Sequence, residues 1–482
     1  MEGFFVETYA AMEGPAKGGL RSNGGVGPPE PRNGGDEMKR SVELANKQNR
    51  RASKTTVLKS TVLKTTVKKK SRAKPSIVNK HKIAYNVLME KKPFSPDSPE
   101  KTEYQAKIFA NRLSKQYKQL RKWARKNRIT CYRLYDRDIP EIPLAADIYT
   151  FLPEGTKDKY SAILQQNEHN AAISRNGPDA QAVVAEEASR TYIHLYLYER
   201  PYEKDDEEEN QWLKSMAKAA AEVTGIAEDH VLTKRRRKIA EDDGKGGRTA
   251  QYSKLSREDR PYVKGLVFEQ GQIFYVNLTD YIDTGLFFDH RPLRDRVRSE
   301  CRQKAVLNLF CYTGSFSVYA AEGGASFVES VDTSNTYLDW AKDNMAANGF
   351  TDKAKYIFTR EDVSAYLDRK IAEKSMGEDG TQLFDIIILD PPTFSNSKRS
   401  DATLDINRDW PALVRKSLSL LTPDGILYFS TNSRRLIFEE QRLPSRMNGE
   451  LLYKATDITA KTIPEDYRNT KIHRAWKIER IR

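Results

Sequence analysis

The chain has 482 residues, 38% hydrophobic and 31% charged, so it is long enough for two domains and can build a core. Its net charge of +14 and pI of about 9.3 favour an anionic partner, such as nucleic acid or an acidic membrane face. No apolar run of about 18 residues is present, which excludes a membrane-spanning helix. Three cysteines without paired or metal-ligand spacing, and a start unlike a signal peptide, predict a cytoplasmic protein without a metal site.

Residues 1–103 are predicted to be a disordered, basic extension of low complexity. Glycine and proline are frequent in residues 1–37, and residues 39–82 contain 15 Lys or Arg against a single acid, Glu43. A tail of this kind is usually only solvated, but it can also bind phosphates by releasing their counterions.

Residues 104–265 are predicted to form a small α+β RNA-binding domain. Apolar residues at helical spacing between 106 and 128 indicate an amphipathic helix, and "ITCYRLYDRD" and "TYIHLYLYER" alternate like strands. The polar stretch 153–190 between those strands is interpreted as an irregular insertion. An acidic stretch from Glu203 then begins a second helix, which is expected to end near Gly225.

Basic side chains of this domain are candidates for contacts with RNA phosphates, although plain solubility explains such surfaces at least as often. They lie on the polar face of the first helix and in a run before a glycine-rich loop: Lys115, Lys118, Lys122, Arg125, Lys234, Arg235, Arg236 and Arg237.

Strands and helices alternate from residue 266 to 482, which predicts an α/β domain. The strands are nearly continuous apolar runs, such as "AVLNLF" and "FDIIILD". Such runs are typical of a mostly parallel, doubly wound sheet that is covered on both faces. Ligands of these sheets bind outside the carboxyl ends of the strands.

The stretch "LNLFCYTGSFS" contains a single glycine, Gly314, after the first of these strands. A dinucleotide site needs several glycines near the pyrophosphate, so one glycine favours a ligand without phosphates. The next three strands end in Asp332, Asp362 and Asp390. Carboxylates at the ends of successive strands suit the hydroxyl, amino and sulfonium groups of S-adenosylmethionine. Asp332 is expected to bind the ribose hydroxyls and Asp362 the adenine amino group. Each aspartate by itself is more often a helix cap.

Several longer motifs resemble one family. "VNLTDYIDTGLFFDHRPLR", "LNLFCYTGSFSVYAA", "LDPPTFSNSKR" and "HRAWKI" are similar to the RlmK family of bacterial 23S rRNA guanine-N7 methyltransferases, class I enzymes that use S-adenosylmethionine. The resemblance covers residues 105–482 apart from 153–190. It implies a Rossmann-like methyltransferase domain that acts on 23S rRNA or a large-subunit precursor. Family members are often the C-terminal half of a fused protein, whereas a basic tail precedes the domain here.

The resemblance also implies which residues form the cofactor site. The loop after the first strand would contribute Asn308, Phe310, Tyr312 and Gly314, and the ribose and adenine would be held by Asp332, Thr333 and Asp362. The segment that closes over the methionine end would contribute Asp283, Thr284 and Arg291. A tight turn is the alternative interpretation of Thr284-Gly285.

The stretch "DPPTF" stops the strand before it, because Pro391 and Pro392 cannot donate hydrogen bonds to a sheet. It resembles the D/N-P-P-Y/F signature of enzymes that methylate base nitrogens, and Phe394 offers a face on which an extruded purine can stack. Guanine N7 carries no proton, so its methylation needs no general base and requires only that the base and the methyl group are aligned. The product base is cationic, and Asp390 is placed to offset that charge. Flanking phosphates are expected to meet Lys398, Arg399, Arg434 and Arg435.

Three other functions fit parts of the pattern. Cytosine-C5 methylation requires a cysteine nucleophile, and "YFSTNSRR" provides none near the site. Adenine-N6 methylation fits the "DPPTF" stretch almost as well, and only the longer resemblance disfavours it. An RNA-binding assembly factor without catalysis is disfavoured by the complete set of aspartates.

Overall fold

The computed structural model describes residues 99–175, 177–198, 200, 204–236, 262–281, 283–376, 382–395 and 403–481. These residues belong to one compact unit, Lys92–Arg482. The predicted extension lies outside the described residues except at its end, where helix α1 begins at Pro99, so the predicted boundary after residue 103 falls inside a helix. No helix in the described ranges is long and apolar enough to cross a membrane.

A four-stranded sheet lies in the first part of this unit, in the order β1-β2-β3-β4. Its strands are β1 (Cys131–Asp136), β2 (Leu144–Thr150), β3 (Thr191–Tyr198) and β4 (Val231–Arg236). The first three strands pair antiparallel, and β3 pairs parallel with β4. Helices α1 (Pro99–Lys126) and α4 (Asp206–Thr224) share one apolar core with this sheet, and Gly225 ends α4 in a left-handed conformation.

The insertion between β2 and β3 is helical, so the prediction of an irregular stretch is wrong. It forms α2 (Lys159–Ser174) and α3 (Pro178–Ser189). The Asp158 carboxylate accepts from the backbone N–H of Ser161 at 2.8 Å, and the Ser161 hydroxyl oxygen accepts from the backbone N–H of Asp158. Such local capping, and the proline in the first turn of α3, start helices that show little apolar periodicity.

The second sheet has seven strands in the order β14-β15-β13-β10-β7-β8-β9. Its five strands from β13 to β9 run parallel, and β15 pairs antiparallel with both β13 and β14. The strands are β7 (Ala305–Leu309), β8 (Phe327–Asp332), β9 (Tyr356–Arg360), β10 (Phe384–Leu389), β13 (Leu421–Thr431), β14 (Tyr453–Asp457) and β15 (Arg474–Arg480). The predicted α/β, mostly parallel architecture is confirmed. The chain order reverses between β7 and β10, where such sheets bind ligands.

Helices cover this sheet on both faces. They are α5 (Arg291–Glu300), α6 (Ser315–Glu322), α7 (Asn335–Ala347), α8 (Val363–Ser375), α9 (Ile406–Ser419) and the short α10 (Thr459–Thr462). Alternate residues of β10 enter opposite cores: Ile386 and Ile388 join residues of α5 and α6, whereas Ile387 joins residues of α8 and α9. The doubly wound arrangement explains why the stretch from Ile386 to Leu389 is apolar at every position.

The first strand region of the predicted α/β domain, "GLVFEQGQIFYVNL", does not enter the parallel sheet. It forms a separate antiparallel hairpin of β5 (Lys264–Glu269) and β6 (Gln272–Asn277). The two turn residues, Gln270 and Gly271, have φ of +50° and +96°, which is the requirement of a tight two-residue hairpin turn.

Candidate functional site

The loop after β7, residues 310–314, has an uncommon backbone conformation and is called the β7 loop below. Phe310, Tyr312 and Gly314 have φ of +57°, +52° and +72°, and positive values are uncommon for residues other than glycine. A side chain at Gly314 would lie 2.8 Å from the nearest atom of α7. The Asn344 amide donates to the carbonyl of Thr313 at 2.9 Å and holds the loop. Strained backbone of this kind clusters at ligand sites.

Asp332 connects the β7 loop to the end of β8. Its Oδ2 accepts from the backbone N–H of Tyr312 and its Oδ1 from the backbone N–H of Ser334, each at 3.0 Å. Burial raises the pKa of the Asp332 carboxyl, while the next residue, Thr333, is exposed. The structure therefore brings Asp332 and Thr333 to the edge of the sheet beside the β7 loop.

Two other residues predicted to hold the cofactor also serve the protein's own structure. Asp362 caps α8, because its Oδ1 accepts from the backbone N–H groups of Ser364 at 2.9 Å and Ala365 at 3.2 Å. Asn308 is 1% exposed, and its amide donates to the Ser317 hydroxyl at 2.9 Å. Asn308 thus supports the β7 loop from inside, and its side chain is not at the surface of the site.

The segment 283–288 packs against the β7 loop. The Thr313 hydroxyl donates to the carbonyl of Gly285 at 2.6 Å. Gly285 has φ of +101°, and a Cβ there would lie 2.3 Å from the Trp340 indole, so the site tolerates only glycine. This packing places Asp283 and Thr284 beside the loop.

The position of Arg291 corrects the expectation that it closes over a ligand. Arg291 is 1% exposed, and its guanidinium donates to Glu269 at 2.8 Å, to Asp466 at 2.9 Å and to the carbonyl of Cys131 at 3.0 Å. Arg294 binds the same Glu269 carboxylate at 2.6 Å. Because buried charges must be paired, this guanidinium belongs to the interior of the protein and not to a ligand surface.

Asp390 lies immediately after β10, at the point where the chain order of the sheet reverses. Its Oδ1 accepts from the Ser430 hydroxyl at 2.6 Å, and its Oδ2 lies 3.5 Å from Nε2 of His290. Leu389 pairs with Phe429 across β10 and β13, and this register sets Ser430 beside Asp390. The carboxylate is thus bound by Ser430 from β13 and approached by His290 from the turn before α5.

The two prolines and Phe394 differ in exposure. Pro391 is buried and Pro392 half-buried, whereas 46% of Phe394 is exposed. The Thr393 hydroxyl donates to the side-chain oxygen of Asn432 at 3.1 Å. Beyond the prolines, the short strands β11 (Phe394–Ser395) and β12 (Leu404–Asp405) pair antiparallel. An exposed ring on a fixed backbone next to a carboxylate suits the stacking of a flat heterocycle.

Sequence reasoning missed Ser430 and His290. The serine is predictable only from the register of β10 with β13, which a single sequence does not give. The histidine lies in the quoted "DHR" motif, but nothing local relates it to a residue in another strand. His290 ends the 3₁₀ turn Phe288–His290 before α5 and is 6% exposed.

One cluster of side chains has donor types that metals use. Asp289, His290 and His473 bring such atoms within 4.8 Å of one another. Nδ1 of His473 lies 3.1 Å from Asp289, and its Nε2 lies 2.9 Å from the Thr462 hydroxyl. Both nitrogens of His473 are therefore engaged in hydrogen bonds within the protein.

Some of the basic residues predicted to contact RNA are exposed. These are Lys115, Lys118 and Lys122 on α1, and Arg434 and Arg435 after β13. Arg236 ends β4, and Arg237, Lys398 and Arg399 lie outside the described residues.

Three other predicted basic contacts are already bound within the protein. Arg125 pairs with Glu187 at 2.9 Å, and Arg235 pairs with Asp206. Lys234 donates to the carbonyl of a residue in the turn after β6. Arg125 was predicted from the polar face of the first helix, and Lys234 and Arg235 from a basic run. Neither pattern reveals acidic partners or carbonyl groups in distant elements.

Comparison with protein families matches residues 201–439 to a family described as S-adenosylmethionine-dependent methyltransferase. The chain is 39% identical over 397 residues to ribosomal RNA large subunit methyltransferase K of Neisseria meningitidis, covering 82% of this chain and 91% of that protein. It is 37% identical over 385 residues to ribosomal RNA large subunit methyltransferase K/L of Pseudomonas paraeruginosa. That match covers 80% of this chain but 44% of the relative, so the chain spans less than half of this K/L protein.

Among solved structures, a methyltransferase crystallised with SAH is similar to this chain, with a TM-score of 0.52 and 19% sequence identity. The alignment covers 80% of this chain and 83% of that chain. At this identity the likeness concerns the fold alone.

Proposed function

The chain belongs to the S-adenosylmethionine-dependent methyltransferases of the ribosomal RNA large subunit methyltransferase K family, and we propose that it transfers a methyl group to N7 of a guanine in 23S ribosomal RNA. The observation that carries the proposal is the placement of Asp390 and the exposed Phe394 beyond the end of β10. The substrate is the rRNA itself or a precursor of the large subunit.

The cofactor half of the site supports this function. Asp332 and Thr333 lie at the end of β8 next to the β7 loop, where the ribose hydroxyls would meet the carboxylate. The segment with Asp283 and Thr284 covers the same loop, where the methionine part would lie. S-adenosylmethionine supplies a methyl group that is already activated by the sulfonium charge, so the protein needs only to bind and align it.

The base half of the site lies next to it, because β10 pairs with β7 and Leu389 stands opposite Leu309. An extruded guanine that stacks on Phe394 would direct its N7 edge toward the cofactor loop. N7 carries a lone pair, so no residue has to remove a proton before the attack. The product base is cationic, and the Asp390 carboxylate is placed to offset this charge.

Cytosine-C5 methylation is not favoured, because it requires a thiolate. Burial raises the pKa of Cys131, Cys301 and Cys311, so these thiols stay protonated at neutral pH. Adenine-N6 methylation would use the same stacking surface but requires the amino group to lose a proton, and the chemical identity of the product decides between the two reactions. An assembly factor without catalysis would bind rRNA and leave it unmodified.

The test is mass spectrometry of 23S rRNA from a strain that lacks the gene. One N7-methylguanosine should disappear, return with the wild-type gene, and stay absent with the Asp390→Ala variant. Loss of N6-methyladenosine instead would move the assignment to adenine. An unchanged rRNA, with S-adenosylmethionine still bound by the purified protein in calorimetry, would refute guanine methylation.

A further inference from the structure

We propose that His290 is a positioning residue for Asp390, and that protonation of His290 slows methyl transfer by neutralising the Asp390 carboxylate. This inference rests on the proposed function, because it takes Asp390 to lie beside the reacting base. It adds a residue and a pH dependence that the fold and the motifs do not imply.

The geometry of His290 carries the proposal. Its Nε2 lies 3.5 Å from Oδ2 of Asp390, while Oδ1 of that carboxylate accepts from Ser430 at 2.6 Å. Nδ1 of His290 is buried and has no hydrogen-bond partner among the described residues. A neutral imidazole has one proton, and Nε2 is the nitrogen that faces acceptors, so the proton is placed there. Both oxygens of Asp390 then face a donor.

The imidazole of His290 is held in this orientation by packing. It stacks on the ring of His473 with centroids 4.5 Å apart and an interplanar angle of 13°, and Phe316 lies at 5.9 Å. His473 is fixed in turn by Asp289 at 3.1 Å and Thr462 at 2.9 Å. A ring that is 6% exposed and packed in this way cannot turn from Asp390 without opening the core.

Burial keeps His290 neutral near pH 7, against the pull of two nearby carboxylates. Burial lowers the pKa of His290, the carboxylates of Asp390 and Asp289 oppose that shift, and His473 and Arg294 add to it. Asp289 faces the ring from its own turn, Arg294 from α5, Asp390 from the end of β10, and His473 from just before β15. His290 therefore gains a proton only in acid.

Methyl transfer moves a positive charge toward Asp390. The bond from the base nitrogen to the methyl carbon forms with the nitrogen lone pair while the sulfur–carbon bond breaks. Sulfur keeps the electrons of that bond, which leaves a neutral thioether and a cationic base. An anionic Asp390 stabilises the charge as it develops, and a cationic His290 at 3.5 Å cancels that effect. The rate should fall as His290 gains a proton.

The test compares His290→Gln, which keeps a donor but does not titrate, with His290→Leu, which removes the donor. Rates of rRNA methylation at saturating cofactor and rRNA are measured from pH 5 to 8.5, and cofactor affinity by calorimetry. We expect an acid loss of rate in the wild type and its absence in the Gln variant. At pH 8, Leu should reduce the maximal rate about tenfold to a hundredfold, because Oδ2 of Asp390 then faces an apolar side chain in place of the imidazole N–H, with unchanged cofactor affinity.

His169→Gln is the matched control, because His169 also faces a carboxylate, Glu187 at 2.6 Å, but in α2. It should keep the wild-type pH profile. A Gln variant of His290 that retains the acid loss, or a Leu variant with the wild-type rate at pH 8, would overturn the inference. If the wild type forms no N7-methylguanosine in these reactions, the proposed function fails instead, whatever the variants do.

Discussion

At the end of β10, two side chains of the same short stretch have opposite environments. The Asp390 carboxylate is held by Ser430 at 2.6 Å and approached by His290, whereas 46% of Phe394 is exposed. A carboxylate that is fixed in advance stabilises a developing charge without reorganising. The exposed part of the Phe394 ring, in contrast, is available for a base to stack on.

Phe394→Ala should weaken rRNA binding and methylation while leaving the cofactor affinity unchanged. Loss of one base–aromatic stack costs about 1–3 kcal/mol, which corresponds to a decrease of about 5- to 150-fold. Phe394→Tyr retains the ring and should keep most of the activity. Filter binding and single-turnover rates measure both effects. An Ala variant with wild-type rates would remove Phe394 from the site.

The loops and turns between helices and strands build the cofactor side of the site. The β7 loop is pinned from α7 by Asn344 and from the segment 283–288 by the contact of Thr313 with Gly285. Three residues of the loop have positive φ, so its shape is set by these contacts and not by local preference. Cofactor affinity should therefore depend on residues that do not touch the cofactor.

Gly285→Ala tests this dependence, because the new Cβ would meet the Trp340 indole at 2.3 Å. We expect cofactor affinity, measured by calorimetry, to fall tenfold or more. Gly449→Ala is the matched control: Gly449 has a similar φ of +85°, but a Cβ added there would have no other atom within 4 Å. It should cost about 1 kcal/mol of stability and leave cofactor binding intact. Equal losses in both variants would show that strain alone is responsible.

At the scale of the whole molecule, a buried ion cluster connects the small sheet, the β5–β6 hairpin and α5. Glu269 at the end of β5 binds Arg291 and Arg294, and Arg291 also donates to the carbonyl of Cys131 in β1. Burial alone would raise the pKa of Glu269, but the charges of Arg294 and Arg291 hold it below its ordinary value. Because these charges are buried and paired with one another, removing any one of them should disturb the packing of β1, β5 and α5 against each other.

Glu269→Gln should therefore destabilise the protein by about 3–5 kcal/mol, because it leaves two buried guanidinium groups without their carboxylate. Glu361→Gln removes one of the two carboxylate partners of Arg369 at the surface and should cost less than about 1 kcal/mol. Denaturant unfolding measures both. Since the folded pKa of Glu269 is lowered, its contribution is complete above its ordinary pKa and is lost as the pH falls. The Gln variant should lack that part of the acid sensitivity, and an unchanged pH dependence would contradict this.

Deletion of residues 1–82 concerns the whole chain and its anionic partner. The deleted segment carries much of the net charge of +14, so the truncated protein should bind rRNA more weakly and with a shallower salt dependence. Cofactor affinity should not change. The dependence of the rRNA dissociation constant on salt concentration provides the measurement. An unchanged slope would mean that the basic extension does not contact phosphates.

The sequence by itself determined the alternation of strands and helices, the aspartates at the strand ends and the proline stop after β10, because periodicity and strand ends are local properties. It also indicated the cofactor class, since Gly314, Asp332 and Asp362 follow successive strands. Only the tertiary structure decided that Arg291 lies in a buried ion cluster and that His290 faces Asp390. Those contacts join side chains from elements that are distant in the sequence. Burial decides whether a charged side chain faces a ligand or the core, and no local sequence pattern reports burial.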